Sequence, residues 1–186
     1  GSDPALARQA VVFMAHHDHL GLAAERNADG DNIYNGAVDN ATGIGALVAI
    51  AEANVRAGAA DRSQMFLALT LEESGLLGSE FYARNPIYPL SKTVAGVNMD
   101  ALIPGSPARD VQVLGGDKSE LTRYLRAATA AMDITPAAES RSEQGMYYRS
   151  DHFSLAKRGV PMFYLKRGTD WIKGGKAAGQ AAADDY

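Results

Sequence analysis

Glu72 and Glu73 are adjacent carboxylates that follow an apolar run, residues 65–71, which predicts a buried strand. Two neighbouring carboxylates repel each other, so one of them must be protonated, solvated or bound to a cation. Their side chains diverge, which allows one to bind a metal ion while the other takes a proton. The ordinary interpretation of an isolated Glu-Glu pair is a solvated strand end. Other residues of the chain are needed to distinguish this interpretation from a metal-binding site.

A second group of chemically active side chains follows the apolar run at residues 11–15, and it consists of His16, His17, Asp18 and His19. It holds three of the four histidines in the chain. Open α/β sheets keep their sites at the carboxyl ends of strands. In an extended backbone, His16 and Asp18 would share one side and His17 and His19 the other. An aspartate two residues from a histidine suits a partner that orients the imidazole.

Two further carboxylates stand at predicted element ends. Asp100 closes the apolar run at residues 93–100, and Asp39 precedes a helix predicted over residues 44–55. Asp39 or Asn40 could be the N-cap of this helix, which is the structural interpretation. Histidine and carboxylates at several strand and helix ends that converge on one edge of a sheet would form a metal-binding constellation.

The predicted elements alternate between strands and helices. Apolar runs predict strands at residues 11–15, 65–71, 93–100, 111–114 and 160–165. Helices are predicted at residues 44–55, 76–84 and 118–132, with a short one ending at Lys157. Residues 22–38 and 133–146 are predicted as irregular, and the chain from Lys166 onward as a loop or frayed tail. This order predicts an α/β fold, with a mixed, largely parallel central sheet covered by helices on both faces in a single domain, residues 1–186.

The composition of the 186-residue chain is that of a soluble globular protein, with 46% hydrophobic and 22% charged residues. Its net charge of −4 and the lack of a Lys/Arg run argue against nucleic acid as a partner. No apolar run approaches the length that crosses a bilayer. Cysteine is absent, so a metal ion would be held by histidine and carboxylates, which favours zinc or a similar divalent ion.

Six short segments have the order and spacing of one enzyme family. They are Ala-His-His-Asp-His-Leu-Gly at 15–21, Gly-Ala-Val-Asp-Asn-Ala-Thr-Gly at 36–43, Glu-Glu-Ser-Gly-Leu-Leu-Gly-Ser at 72–79, Asn-Met-Asp at 98–100, Arg-Ser-Asp-His at 149–152 and Gly-Val-Pro at 159–161. By these segments the chain resembles the co-catalytic zinc aminopeptidases, a family that also includes glutamate carboxypeptidases and, more distantly, glutaminyl cyclases. The resemblance implies the three-layer α/β/α zinc-peptidase architecture.

The resemblance also implies roles for individual residues. Four side chains would bind two zinc ions: His16, Asp39, Glu73 and Asp100. Asp39 would bridge both ions, with His16 and Asp100 on one and Glu73 on the other. Glu72 would be the general base that takes a proton from the attacking water, and Asp18 would support His16 from behind.

One part of the family pattern is missing. In the family, the second zinc also takes a histidine from a Tyr-His-x-x-x-Asp segment near the end of the domain, and this sequence has no such segment. The chain is therefore expected to be a fragment of the catalytic domain, trimmed at both ends, with an incomplete second site and uncertain activity of its own. His152 is the only distant histidine left to take that place, whereas the resemblance implies a structural or supporting role for its Ser-Asp-His segment.

The function implied by the resemblance is a zinc-dependent exopeptidase, an aminopeptidase that releases N-terminal residues from peptides. The alternatives are a glutaminyl cyclase-like zinc acyltransferase and a non-catalytic binding domain. Arg141 and Arg149 are candidates for recognising a substrate carboxylate, although either suits a surface charge equally well. Relatives of this form are often exported from bacteria, so a periplasmic or secreted protein is expected.

Overall fold

The computed structural model describes residues 1–139 and 142–185. The strands are β1 (Ala10–His16), β2 (Gly21–Leu22), β3 (Ile33–Tyr34), β4 (Ser63–Leu69), β5 (Thr93–Asn98), β6 (Asp110–Leu114), β7 (Thr135–Ala138) and β8 (Met162–Arg167). The helices are α1 (Thr42–Ala57), α2 (Leu77–Arg84), α3 (Leu121–Ala131), α4 (His152–Ala156) and α5 (Gly175–Asp184). None of the helices within these described ranges is long and apolar enough to cross a membrane.

Six strands form the central sheet in the order β4-β1-β5-β8-β6-β7. All neighbouring pairs are parallel except β6 and β8, which are antiparallel. The register pairs His16 with Leu69 on one side of β1 and Met14 with Asn98 on the other. Because these three parallel strands end level with one another, the residues that follow β1, β4 and β5 meet at the same edge.

The two faces of the sheet are covered by different helices. Val12 and Met14 are fully buried and pack in a core with residues of α2 and α4. Phe13 points the opposite way and packs on α1, and its neighbour in β5, Val97, packs on α3. The predicted three-layer α/β/α arrangement with a mixed, largely parallel sheet is therefore confirmed.

The structure corrects the predictions for two segments. The tail predicted from Lys166 is wrong, since β8 continues to Arg167 and α5 follows. The Ala-rich stretch has high helix propensity, and Gly179 lets α5 lie so close to Thr169 that an added Cβ would overlap the Thr169 carbonyl oxygen. Part of the predicted irregular segment at 133–146 is also ordered, because β7 pairs with β6 at the edge of the sheet, where Pro136 is tolerated.

Glu80 links helix α2 to the end of helix α4 through ion pairs. Its carboxylate contacts Arg158 Nη2 at 2.6 Å and Lys157 Nζ at 2.8 Å, just after α4, and Arg84 Nε at 2.7 Å on its own helix. Hydrogen bonds from Arg158, then Lys157 and Arg84, hold the pKa of Glu80 well below its ordinary 4.5. A carboxyl group with a lowered pKa in the folded state contributes stability above its unfolded pKa and loses it as pH falls.

We therefore expect Glu80→Gln to lower the melting temperature at neutral pH, and the difference from the wild-type chain to shrink as pH falls below 4.5. Thermal unfolding followed by circular dichroism at several pH values measures this difference. Glu52→Gln is the matched control, because its i,i+4 partner Arg56 is highly exposed and such pairs contribute little. A Glu80→Gln difference that stays constant from pH 7 to pH 3 would contradict the assignment.

Candidate metal centre

The first ligand group consists of His16, Asp39 and Asp100, at the edge where β1 and β5 end. His16 Nε2 lies 3.0 Å from Asp39 Oδ1 and 3.6 Å from Asp100 Oδ1. One potential ligand atom from each residue lies within 4.8 Å of the other two. His16 and Asp100 are buried and Asp39 is partly exposed. The three side chains thus converge on one point from three separate segments of the chain.

The other ring nitrogen of His16 faces the main chain. His16 Nδ1 lies 3.1 Å from the Asp18 carbonyl oxygen and 3.6 Å from Asp18 Oδ1. Donation from Nδ1 to this carbonyl leaves Nε2 as the nitrogen that faces the two carboxylates. The main chain of Asp18 therefore orients the imidazole more directly than the predicted carboxylate contact does.

The surroundings of His16 favour a positive charge between it and the carboxylates. Burial lowers its pKa, but hydrogen bonds with Asp100 and Asp39 outweigh burial and raise the pKa to about 11. A neutral imidazole would direct a lone pair at oxygens that are themselves negative, so either a proton or a cation has to lie between them. This donor set, one imidazole nitrogen and two carboxylate oxygens, suits zinc.

Asn40 ties the segment of Asp39 to the end of β5. Its amide nitrogen donates to Met99 O at 3.0 Å, and its amide oxygen accepts from Ala101 N at 3.2 Å. These two residues flank Asp100. Asn40 is buried, so its hydrogen bonds are shielded from water. One amide side chain thereby fixes the distance between the segments that carry Asp39 and Asp100.

Gly43 allows helix α1 to begin close to this junction. Its N–H donates to Asn40 Oδ1 at 2.9 Å, so Asn40 satisfies an N–H in the first turn of α1. The N-cap residue is Ala41, so the prediction of Asp39 or Asn40 as N-cap was wrong. A Cβ at position 43 would overlap both Asn40 Oδ1 and the carbonyl oxygen of Met99. Only glycine permits so close an approach.

Asp100 is oriented by a chain of buried hydrogen bonds. The hydroxyl of Ser150 donates to Asp100 Oδ2 at 2.5 Å, and Asn98 Nδ2 donates to Ser150 Oγ at 2.7 Å. Tyr164 OH donates to the same carboxylate oxygen at 3.4 Å. Because Oδ2 is held in this way, Oδ1 is the oxygen turned towards His16.

The second ligand group consists of His19, Asp39 and Glu73. His19 Nδ1 lies 2.6 Å from Glu73 Oε1, and the ligand atoms of the three residues lie within 4.8 Å of one another. His19 and Glu73 are 22% and 20% exposed, so this group is more open than the first. Asp39 belongs to both groups, so two sites would adjoin through one carboxylate.

Glu72 belongs to neither group, but its carboxyl interacts electrostatically with His16, Asp100 and Glu73. Burial, followed by the charge of Asp100, raises its pKa to about 8. Its main-chain N–H approaches Asp18 Oδ1 at 3.5 Å. Of the two adjacent glutamates, Glu73 therefore belongs to a ligand group and Glu72 does not.

The structure brings all four predicted metal ligands into the two groups: His16, Asp39, Glu73 and Asp100. His152 is not among them. It is fully buried between the rings of Tyr147 and Tyr164, with ring centroids 4.7 Å from each, and burial lowers its pKa to about 4. Arg141 lies outside the described residues, and Arg149 is exposed.

His19 is the site residue for which the sequence predicted no role. The alternation rule placed it on the side away from His16, but β1 ends at His16, so the rule does not apply beyond that residue. The signal that could have identified it is the third histidine in a four-residue segment. That segment lies at the carboxyl end of a central strand.

A cavity of about 200 Å³ lies between the end of β8 and α5, and no residue of either ligand group lines it. Ala101, which follows Asp100, lines it together with Leu114, a neighbour of Tyr164 in the core. Its other walls include the Trp171 ring and the charged Arg167.

The chain belongs to peptidase family M28, because the profile of that family matches residues 1–186. The resemblance read from the sequence segments is therefore confirmed at the level of the family. Sequence comparison with curated proteins gives no significant match.

Several solved structures share this fold, and three of them represent different activities. An aminopeptidase from Aneurinibacillus sp. strain AM-1 is 20% identical over 90% of this chain and 37% of its own, with a TM-score of 0.67. A Zn-dependent exopeptidase from Parabacteroides distasonis is 18% identical over 97% and 66%, with a TM-score of 0.64. A glutaminyl cyclase from Porphyromonas gingivalis is 18% identical over 92% and 63%, with a TM-score of 0.64.

This chain spans less than two thirds of the length of each of these proteins. At such low identity the likeness establishes a common fold.

Proposed function

We propose that the chain carries the zinc centre of an exopeptidase, an aminopeptidase that hydrolyses the N-terminal residue from a peptide. The observation that carries this proposal is the pair of ligand groups that share Asp39. Two adjoining divalent ions clamp the attacking and leaving atoms of a hydrolysis, and aminopeptidases are among the enzymes that use such pairs. Membership of peptidase family M28 supports the same reaction class.

Different residues of the chain are assigned to the two metal ions. His16 and Asp100 would hold one ion, Glu73 would hold the other, and Asp39 would contribute to both. Bound zinc supplies Lewis-acid chemistry, which lowers the pKa of water and polarises the scissile carbonyl.

Glu72 is the proposed general base. As carboxylate, it accepts a proton from the water that attacks the carbonyl carbon, and as carboxylic acid it returns the proton to the nitrogen that leaves. The C–N bond breaks as that nitrogen is protonated, so the carboxylate is regenerated in each cycle. Its electrostatic interaction with His16, Asp100 and Glu73, together with its absence from both ligand groups, supports this division between binding and proton transfer.

A glutaminyl cyclase-like acyltransferase is the second candidate, and the fold shared with the Porphyromonas gingivalis enzyme supports it. The described residues offer two ligand groups that share Asp39, which suits the paired ions of an aminopeptidase. A non-catalytic binding domain is the third candidate. The convergence of four predicted ligands and a separate, partly buried carboxylate favours catalysis over the non-catalytic binding domain.

Three peptides separate these functions in one assay of the zinc-loaded chain. A peptide that begins with leucine should release free leucine, and its N-acetylated form should not, because an aminopeptidase needs the free amine. Formation of pyroglutamate from a peptide that begins with glutamine, without leucine release, would favour the cyclase. Bound zinc without turnover of any of the three peptides would favour the binding domain.

Ser150 is expected to matter for zinc although it is not a ligand. Ser150→Ala removes the hydrogen bond that turns Asp100 towards His16. Loss of such a partner typically weakens metal binding about 10- to 100-fold. Competition with a chelator measures the zinc affinity, and Ser91→Ala, an exposed serine, is the control. An unchanged zinc affinity in Ser150→Ala would contradict the positioning role.

A further inference from the structure

We infer that His19 is the imidazole ligand of the second metal ion in this chain. Among the described residues, His19 is the imidazole in the second ligand group, which it forms with Asp39 and Glu73. The inference rests on the proposed zinc binding and goes beyond it by naming the nitrogen donor.

His19 and Glu73 are in direct contact. Their nearest atoms, Nδ1 and Oε1, lie 2.6 Å apart. At this distance a neutral nitrogen lone pair and a carboxylate oxygen require a proton or a cation between them. Donor atoms on one tetrahedral zinc ion lie about 3.3 Å apart, so only a small separation of the two side chains is needed for both to bind it.

Gly36 and Tyr34 fix the position of the His19 side chain. Gly36 has a left-handed backbone, with φ 65°, and lies against His19 so closely that an added Cβ would lie 3.0 Å from His19 Cβ. The ring of Tyr34 meets the His19 ring edge-on, with the centroids 6.1 Å apart. The hairpin of β2 and β3 therefore holds His19 against the loop that carries Asp39.

His19 makes the donor set of the second ligand group equivalent to that of the first ligand group. With His19, each ion has one imidazole nitrogen, one carboxylate of its own and the shared Asp39. Three protein ligands leave a position open for water or substrate, which is the pattern of catalytic zinc sites. The partial exposure of His19 and Glu73 gives a peptide access to this position.

His17 provides a matched control. It is exposed, lies two residues from His19 and belongs to neither ligand group among the described residues. Substitution of His17 or His19 by alanine removes the same number of atoms from the same short segment. Circular dichroism and thermal unfolding without zinc establish that both variants fold, which is expected because neither side chain is in the core.

The test is the number of zinc ions bound per chain, measured by elemental analysis after equilibrium dialysis. We expect two for the wild-type chain and for His17→Ala, and one for His19→Ala, with the remaining ion lost when Asp100 is also replaced. In the wild-type chain, zinc should shift the ¹⁵N resonance of Nδ1 of His19 and of Nε2 of His16.

Two zinc ions bound by His19→Ala would overturn the inference and leave the proposed function intact. A single ion in the wild-type chain would also overturn it, because the second site would then not form. If the wild-type chain bound no zinc, both the inference and the proposed function would fail.

Discussion

Replacing Glu72 by glutamine is expected to abolish peptide hydrolysis while both zinc ions stay bound. Glutamine keeps the size of the side chain but cannot accept a proton from water or return one to the leaving nitrogen. General acid–base groups contribute about 10²- to 10⁴-fold to rate, so kcat should fall by that factor. Zinc content should not change, because Glu72 lies outside both ligand groups.

The measurement is kcat for leucine release together with zinc per chain for the same preparation. Glu25→Gln, at an exposed position in the loop after β2, controls for loss of one negative charge. Near-normal turnover in Glu72→Gln would assign the proton transfer to another group. Loss of zinc in the same variant would make Glu72 a ligand and would reverse the roles of the adjacent glutamates.

Replacing Asp39 by asparagine is expected to have the largest effect on metal binding. Asp39 is common to both groups, and a neutral amide supplies neither the negative charge nor a strong oxygen donor. Loss of a supporting partner alone costs about 10- to 100-fold in metal affinity, so loss of the shared ligand should exceed that range at both sites. Leucine release should disappear along with the zinc.

Zinc titration followed by calorimetry measures this loss of affinity. Asp29→Asn, an exposed aspartate between β2 and β3, is the control and should bind zinc like the wild-type chain. The fold of Asp39→Asn should persist, because Asn40 still ties this segment to the end of β5. Undiminished binding of two ions by Asp39→Asn would show that the groups do not share a ligand.

The convergence of β1, β4 and β5 could be predicted from the sequence because each strand is a short apolar run that ends in histidine or carboxylate. Parallel strands of a covered sheet bring such ends to one edge. The positions of His16, Glu73 and Asp100 follow from that rule, with no knowledge of side-chain contacts. Asp39 required only the further expectation that a helix begins at the same edge.

The position of His19 could not be predicted because it depends on backbone beyond the strand. After His16 the chain leaves the extended conformation, and the direction of His19 is set by Gly36 and Tyr34, which come from a loop expected to be irregular. The helix at 175–184 was missed for a related reason. Its Ala- and Gly-rich sequence resembles a flexible tail until Gly179 packs against Thr169.

The most direct test of the zinc centre is hydrolysis of a leucine peptide by the chain as zinc is removed and returned. Treatment with a chelator should abolish leucine release, and added zinc should restore it as the ions bind. Asp39→Asn should show no restoration over the same zinc concentrations. Leucine release that persists in excess chelator, or a wild-type chain that binds no zinc, would contradict the account.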